Sequence, residues 1–265
     1  MPDALRCLIR TLTLGCVAPL LAASAWAQAW PARQVTVLVP FPPGGGTDAF
    51  ARPLFAHLGK LTGKQFVIDN RGGAGGTLGA GVAARMPADG HSFFMGAVHH
   101  AIAPSVYKNL SYSLEGDFIP VALLSSVPQV IVVNASRLPV STLPELLAHV
   151  RANPGKLNYA SAGPGASQHM AAELLKSRAG IFLVHIPYRG SGPAMTDLLG
   201  GQIPLMFDSV SSALPHIQSG RLKALGVATA KRVSALPNVP AISEVIPGFE
   251  ATGWAGMIAP KATPP

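Results

Sequence analysis

Five apolar or β-branched residues, Val35-Thr36-Val37-Leu38-Val39, run directly into Pro40-Phe41-Pro42-Pro43-Gly44-Gly45-Gly46-Thr47-Asp48. A short unbroken run of this kind predicts a buried strand. The prolines forbid its continuation, and three glycines leave the backbone free to turn. Phe50, Leu54, Leu58 and Leu61 then recur at helical spacing, so a helix is expected with Thr47 and Asp48 suited to its N-cap.

The same pattern continues along the chain. Gln65–Asn70 predicts a second strand, Arg71–Thr77 a second Gly-rich turn, and Leu78, Val82 and Met86 a short helix. Ser92–Val98 predicts a third strand leading to His99 and His100. Two extended segments follow, Phe118–Leu124 and Gln129–Val133, on either side of Pro128. Thr142 is placed to cap a helix from Leu143 to Arg151. The opening arrangement then recurs: strand Leu157–Ser161, turn Ala162–Ser167, and a helix carrying Met170, Leu174 and Leu175. Ile181–Pro187 predicts a strand, Tyr188–Pro193 a turn, and Met195, Leu198 and Leu199 a helix. Further strands are expected at Ile203–Phe207, Leu222–Thr229 and Gly253–Ile258.

Alternating strands and helices predict an α/β protein of two halves, each a mostly parallel sheet flanked by helices. Four Gly-rich helix starts, near residues 44, 73, 163 and 190, are expected to face one another across the gap. Each presents unpaired backbone N–H groups and a partial positive charge, which suits an anion. The carboxyl ends of parallel strands are the expected place for the ligand.

Composition narrows this picture. Arg6 and Arg10, the apolar run Leu12–Ala25 and the small-x-small triplet Ala25-Trp26-Ala27 predict a signal peptide over residues 1–27, cleaved near Ala27, and so an exported, periplasmic protein. Cys7 and Cys16, the only two cysteines, fall within that segment. The rest of the chain therefore has no thiol nucleophile, disulfide or cysteine metal site. The formal net charge is +8, but the basic residues are scattered without interleaved aromatics. That argues against nucleic acid and for a general attraction to small anions. Ile258–Pro265 reads as a strand entering a proline-rich turn, so the C-terminus is expected to be a truncation point.

Several chemistries can be weighed directly. No Gly-rich turn carries a Walker lysine, and no acidic residue is placed to hold a ribose, so a nucleotide is not indicated. Ser167 and His169 lie close enough to raise a serine hydrolase, but Gly165-Ala166-Ser167-Gln168-His169 lacks the second glycine of a nucleophile elbow. His99 and His100, as neighbours on a strand, would point to opposite faces and form no metal pair. Asp48 suits a helix-capping role better than an anion contact. Asp208 at a strand end is open to either role, and Arg71 and Arg189 could each meet a carboxylate.

Pro40–Asp48, Asn70–Gly76, Pro87-Ala88-Asp89-Gly90, Pro187–Pro193, Asp197–Gln202 and Leu236–Pro240 resemble, in order, the solute-binding proteins of tripartite tricarboxylate transporters, the Bug or TctC family. The resemblance runs from about residue 30 to the end. It implies a two-domain periplasmic binding protein of type II-like, Venus-flytrap form. Such a protein delivers a small carboxylate, a di- or tricarboxylate or related organic acid, to membrane permease subunits. It further implies that backbone N–H groups and waters of the first Gly loop and of Gly163–His169 hold the acid. Three departures stand out: Ala166 where relatives often have a hydroxyl, Pro53 inside the first helix, where a kink is expected, and a chain that stops early.

The helix starts and the resemblance together nominate Phe41, Pro43, Gly44, Gly45, Gly46, Thr47, Asp48, Gly75, Gly76, His99, Ser161, Gly163, Gly165, Ala166, Ser167, His169, Tyr188, Gly190 and Asp208 as ligand-binding residues. No catalytic residue, metal or cofactor is expected. The first lobe is placed at 28–125 plus about 247–265, the second at 126–246, and the protein is expected to be a monomer. A ligand sensor for a membrane two-component system is the alternative, with an exported serine hydrolase behind it.

Overall fold

The computed structural model describes residues 30–264; the expected signal peptide lies outside the described residues. Residues from Gln34 onward form one compact unit built on two five-stranded sheets. The first sheet contains β1 (Val35–Val39), β2 (Phe66–Asn70), β3 (Ser92–Ala97), β4 (Phe118–Val127) and β10 (Gly253–Pro260), in the order β2-β1-β3-β10-β4. The second contains β5 (Gln129–Val133), β6 (Asn158–Ser161), β7 (Val184–Pro187), β8 (Leu205–Ser209) and β9 (Lys223–Val227), in the order β7-β6-β8-β5-β9.

The two orders are one pattern used twice. In each sheet four strands run in one direction and the strand next to the edge runs against them: β10 in the first, β5 in the second. The expected mostly parallel sheets are therefore mixed in their pairings. Connectivity is the cause. β4 passes through Pro128 directly into β5, and β10 returns after β9, so each reversed strand enters from the opposite lobe. Each fills the gap that a parallel crossover, β3 to β4 or β8 to β9, leaves between its two strands.

Strands β3, β5 and β8 are buried at every position, as expected of strands covered by helices on both faces. Two hydrophobic clusters flank each sheet. Helix α1 (Gly46–Thr62) buries Ala51 and Phe55, and Phe50, Leu54 and Leu58 pack at the margin of the core. Leu61 is exposed. The helix runs unbroken through Pro53, which lies on its exposed side.

Helix α2 (Thr77–Ala83) inverts the expectation. Leu78 and Val82 face outward, and Gly79, Ala80 and Ala83 face the sheet. The backbones are too close for anything larger: a Cβ on Gly79 would lie 2.8 Å from the Pro40 Cα. Helix α3 (Val98–Val106) is a second departure, because the chain turns helical at Val98 and puts His99 and His100 in the first turn instead of at a strand end. The remaining helices are α4 (Leu114–Asp117), α5 (Leu143–Ala152), α6 (Ser167–Ala179), α7 (Ser191–Leu199) and α8 (Val210–Gln218).

Asp48, in the first turn of α1, ties the opening loop down. Its carboxylate takes two hydrogen bonds from Arg52 at 2.8 Å, one from Asn70 at 3.0 Å and one from the Gly44 N–H at 3.0 Å. Burial alone would raise its pKa, but these donors outweigh it and hold the group below the ordinary carboxylate range. Its stabilisation is therefore present above the unfolded value and is lost as pH falls through the depressed one. Asp48→Ala is expected to cost about 2 kcal/mol, seen as a lower urea midpoint at pH 7 that converges with the wild type on acidification.

Candidate ligand-binding site

The facing ends of the two sheets enclose a cavity of about 530 Å³. Five helices begin on its wall. Lobe one contributes α1 through Gly46 and Thr47, and α3 through Val98 and His99. Lobe two contributes α6 through Ser167 and Gln168, α7 through Ser191, and α8 through Ser209, Val210 and Ser211. The first N–H groups of a helix have no partner within it, and each helix start carries about half a positive charge. Among the described residues lining the cavity, none is lysine or arginine. The positive field here comes from main-chain dipoles.

The Gly-rich loops serve mainly as a seam between the lobes. The Gly46 N–H donates to Ser191 Oγ across the gap at 3.3 Å. A Cβ on Gly192 would lie 2.7 Å from the Pro43 carbonyl oxygen, and one on Gly75 would strike the Pro164 carbonyl. Only glycine permits backbone to meet backbone so closely. Of the glycines nominated from sequence, Gly46 alone is on the cavity wall. The second Gly-rich start, before α2, is not on it, and the α3 start takes its place.

Of the residues nominated from sequence, Phe41, Gly46, Thr47, His99 and Ser167 line this cavity. The other nominated residues lie off the wall, with their polar groups committed elsewhere. Pro43, Gly44, Gly45, Gly75, Gly163 and Gly190 belong to the seam and its loops, and Gly76 backs onto the His99 and Phe41 rings. Asp48 is turned toward Arg52 and Asn70. Ser161 Oγ accepts the Gly163 N–H at 3.1 Å and meets His185 Nε2 at 2.6 Å. Ala166 is sealed with Phe41 and Ala162 in a small apolar cluster. Tyr188 donates its hydroxyl to Asp197 at 2.7 Å. Gly165 donates its N–H to His169 Nδ1 at 3.2 Å, and the His169 ring stacks on His185 with centroids 4.1 Å apart. That engagement, and the Ser167 hydroxyl donating to Gln168 Oε1 at 3.3 Å, leaves no Ser167–His169 hydrogen bond among the described residues.

Sequence reasoning missed Gln168, Ser191, Ser209, Ser211, Gln129 and Trp254 on the wall. Ser191 and Ser209 were findable as small polar residues at helix starts; Ser209 Oγ accepts the Ser212 N–H. Gln129 and Trp254 sit on crossing segments, and nothing in their local sequence marks them.

Titratable groups here are mostly held neutral. Burial, reinforced by the adjacent His100, puts His99 well below the ordinary histidine pKa. Burial also lowers His169, and burial together with His169 takes His185 to about 4. Asp208 lies fully buried behind the wall, accepting from the Ser209 N–H at 2.8 Å and from Gln168 Nε2 at 3.5 Å. Burial raises its pKa to about 6, against the lowering effect of its hydrogen bonds.

Two α/β lobes, each with one strand entering from the other, closed on a cavity of helix N-termini, define a two-lobed ligand receptor of the periplasmic binding protein class. Residues 50–265 match the family described as "Tripartite tricarboxylate transporter family receptor", and the chain belongs to that family. It is 44% identical over 240 residues to the "UPF0065 protein in tcbD-tcbE intergenic region" of Pseudomonas sp. strain P51, covering 89% of this chain and 71% of that one. Among solved structures it is similar to an R. palustris protein with adipate, at 38% identity and TM-score 0.85, covering 89% of this chain and 79% of that one. It is also similar to MatC from Rhodopseudomonas palustris with bound malate, at 36% identity and TM-score 0.82, covering 89% and 80%. The family is one of receptors, not of enzymes. No described helix is long and apolar enough to cross a membrane.

Asp208 provides a test of the wall's electrostatics. Its folded pKa of about 6 exceeds the ordinary 3.8, so its favourable contribution is complete below 3.8 and is lost as pH rises through 6. Asp208→Asn is expected to raise the unfolding free energy at pH 8 by up to about 3 kcal/mol, read as a higher denaturation midpoint, and to change it little at pH 4.

Proposed function

We propose that this chain is a periplasmic solute-binding protein that captures a small carboxylate, a di- or tricarboxylate or related organic acid, and presents it to the membrane permease subunits of a tripartite tricarboxylate-type transporter. One observation carries the proposal: five helix N-termini converge on one cavity with no lysine or arginine among the described residues on its wall. A carboxylate there exchanges water for oriented N–H donors that are already in place, so little reorganisation opposes binding. The solved relatives with adipate and with malate support the same class of ligand. The protein works as a monomer without a cofactor and performs no catalysis. Its lobes comprise 28–127 plus about 250–265, and 128–249, a few residues beyond the expected 28–125 plus about 247–265 and 126–246. It reaches the periplasm by cleavage near Ala27.

Titration calorimetry against citrate, C4 to C6 dicarboxylates, aromatic acids and acidic amino acids tests the proposal. At least one acid is expected to bind with a micromolar or tighter Kd, and silence across the whole panel would reject it. The seam supplies a second test. A Cβ on Gly46 would run into the Ser209 side chain of the other lobe. Gly46→Ala is therefore expected to weaken binding on the order of tenfold. Unliganded thermal stability should hold or rise, because alanine favours the helix that Gly46 begins.

A further inference from the structure

The cavity wall changes character along the axes of the helices that start on it. Gly46 opens α1, and Phe50, one turn on, is also on the wall. Val210 opens α8, and Leu214, again one turn on, is on the wall as well. Residues four apart share one face of a helix, and four residues advance about 6 Å. One turn beyond the amide-rich helix starts, the side chains that these two helices present to the cavity are apolar. Val127 and Trp254 on the crossing strands, with Val233 on the loop after β9, continue that apolar zone.

From this two-zone wall we infer that the ligand is an apolar-bodied monocarboxylate: one acid head among the helix starts and an alkyl or aryl body against Phe50, Leu214, Val233 and Trp254. This rests on the carboxylate-carrier reading and sharpens it. A second carboxylate extended from the first would meet no lysine or arginine among the described wall residues, and Phe50, Leu214, Val233 and the Trp254 ring would surround it with only the scattered hydroxyls of Ser126 and Ser234 beside them. Burying an ionised group without such partners is strongly unfavourable. A hydrocarbon body in the same place gains with every methylene it removes from water. The cavity, at about 530 Å³, has room for a body of several carbons or a ring beside the carboxylate. His99 is consistent with a single acid head. Its ring is buried and its Nε2 has no hydrogen-bond partner among the described residues, while burial keeps it uncharged, so it adds no second cationic anchor.

The test is a calorimetric ladder on the wild-type protein: acetate, butyrate, hexanoate, phenylacetate and 3-phenylpropionate against succinate, malate, adipate and citrate. Affinity is expected to rise by up to about fourfold per methylene along the straight-chain monocarboxylates, with the aryl acids outranking every polycarboxylate. Val233→Thr, which keeps shape and adds a hydroxyl, should weaken the aryl acids about threefold relative to acetate. Tighter binding of citrate, malate or adipate than of the monocarboxylates, or a flat ladder, would overturn the inference while leaving the carboxylate carrier standing. Absence of binding by every acid would instead reject the carrier itself.

Discussion

Main-chain amides can concentrate positive potential in one place only if nothing with a side chain holds their loops apart. That constraint shapes the centre of this molecule. Gly46 meets Ser191 and Ser209, Gly192 meets the Pro43 carbonyl, and Gly75 meets Pro164, each contact joining the two lobes. The seam these contacts form brings α1 and α3 of one lobe within reach of the space that α6, α7 and α8 of the other open onto. The field in the cavity is therefore a property of lobe closure and not of either lobe alone. A lysine could have supplied charge in the open form too, but at the cost of a long, flexible and strongly hydrated side chain.

Two carboxylates near a site for an anion need explaining, and each is kept off the wall differently. Asp48 stays ionised, but Arg52, Asn70 and the Gly44 amide take up its oxygens on the side away from the cavity. Its charge is spent on fixing the loop that delivers Gly46. Among the described residues Asp208 has no cationic partner within hydrogen-bonding range; it lies behind Gln168 and Ser209, and burial raises its pKa to about 6, which leaves it mostly ionised at pH 7. One group is held by a cation and an amide, the other is set back behind the wall with the Gln168 amide and the Ser209 N–H turned onto it, so neither carboxylate lines the cavity itself.

Much of the fold was legible because the strands, Gly-rich turns and helix periods carry local signals. The run Val35–Val39 and the glycines after it predicted β1 and the α1 start, and Leu157–Gly165 did the same in the second lobe. Local signals fail where geometry is set from a distance. Helix α3 opens at Ala97 with no side-chain hydrogen bond to its first turn, so neither glycine nor a hydroxyl announced the helix start that brings His99 to the wall. In α2 the large residues pointed the wrong way, because the sheet approaches too closely for anything but Gly79, Ala80 and Ala83. Most of the nominated glycines lie at the contacts between loops, where their freedom lets one backbone approach another. Gln129 and Trp254 reach the cavity only because remote strands cross there, and no window of sequence contains that fact.

The crossings tie the cavity to the hinge. Among the described residues the chain passes between lobes at Val127–Gln129 and again between Phe249, in the core of the second lobe, and Gly253. The two passages lie side by side, since Gly253 pairs with Val127 across the β10–β4 ladder. Both also line the cavity, through Ser125–Gln129 and Gly253–Ala255. Any rotation of one sheet against the other must be absorbed by backbone dihedrals in these few residues. A body lodged against Val127 and Trp254 therefore touches the segments that set the angle between the lobes, while its acid head touches the helix starts that closure brings together. Occupancy and closure share the same residues, so a ligand filling both zones stabilises the closed arrangement at the hinge and at the seam together. One that reaches only the helix starts acts on the seam alone.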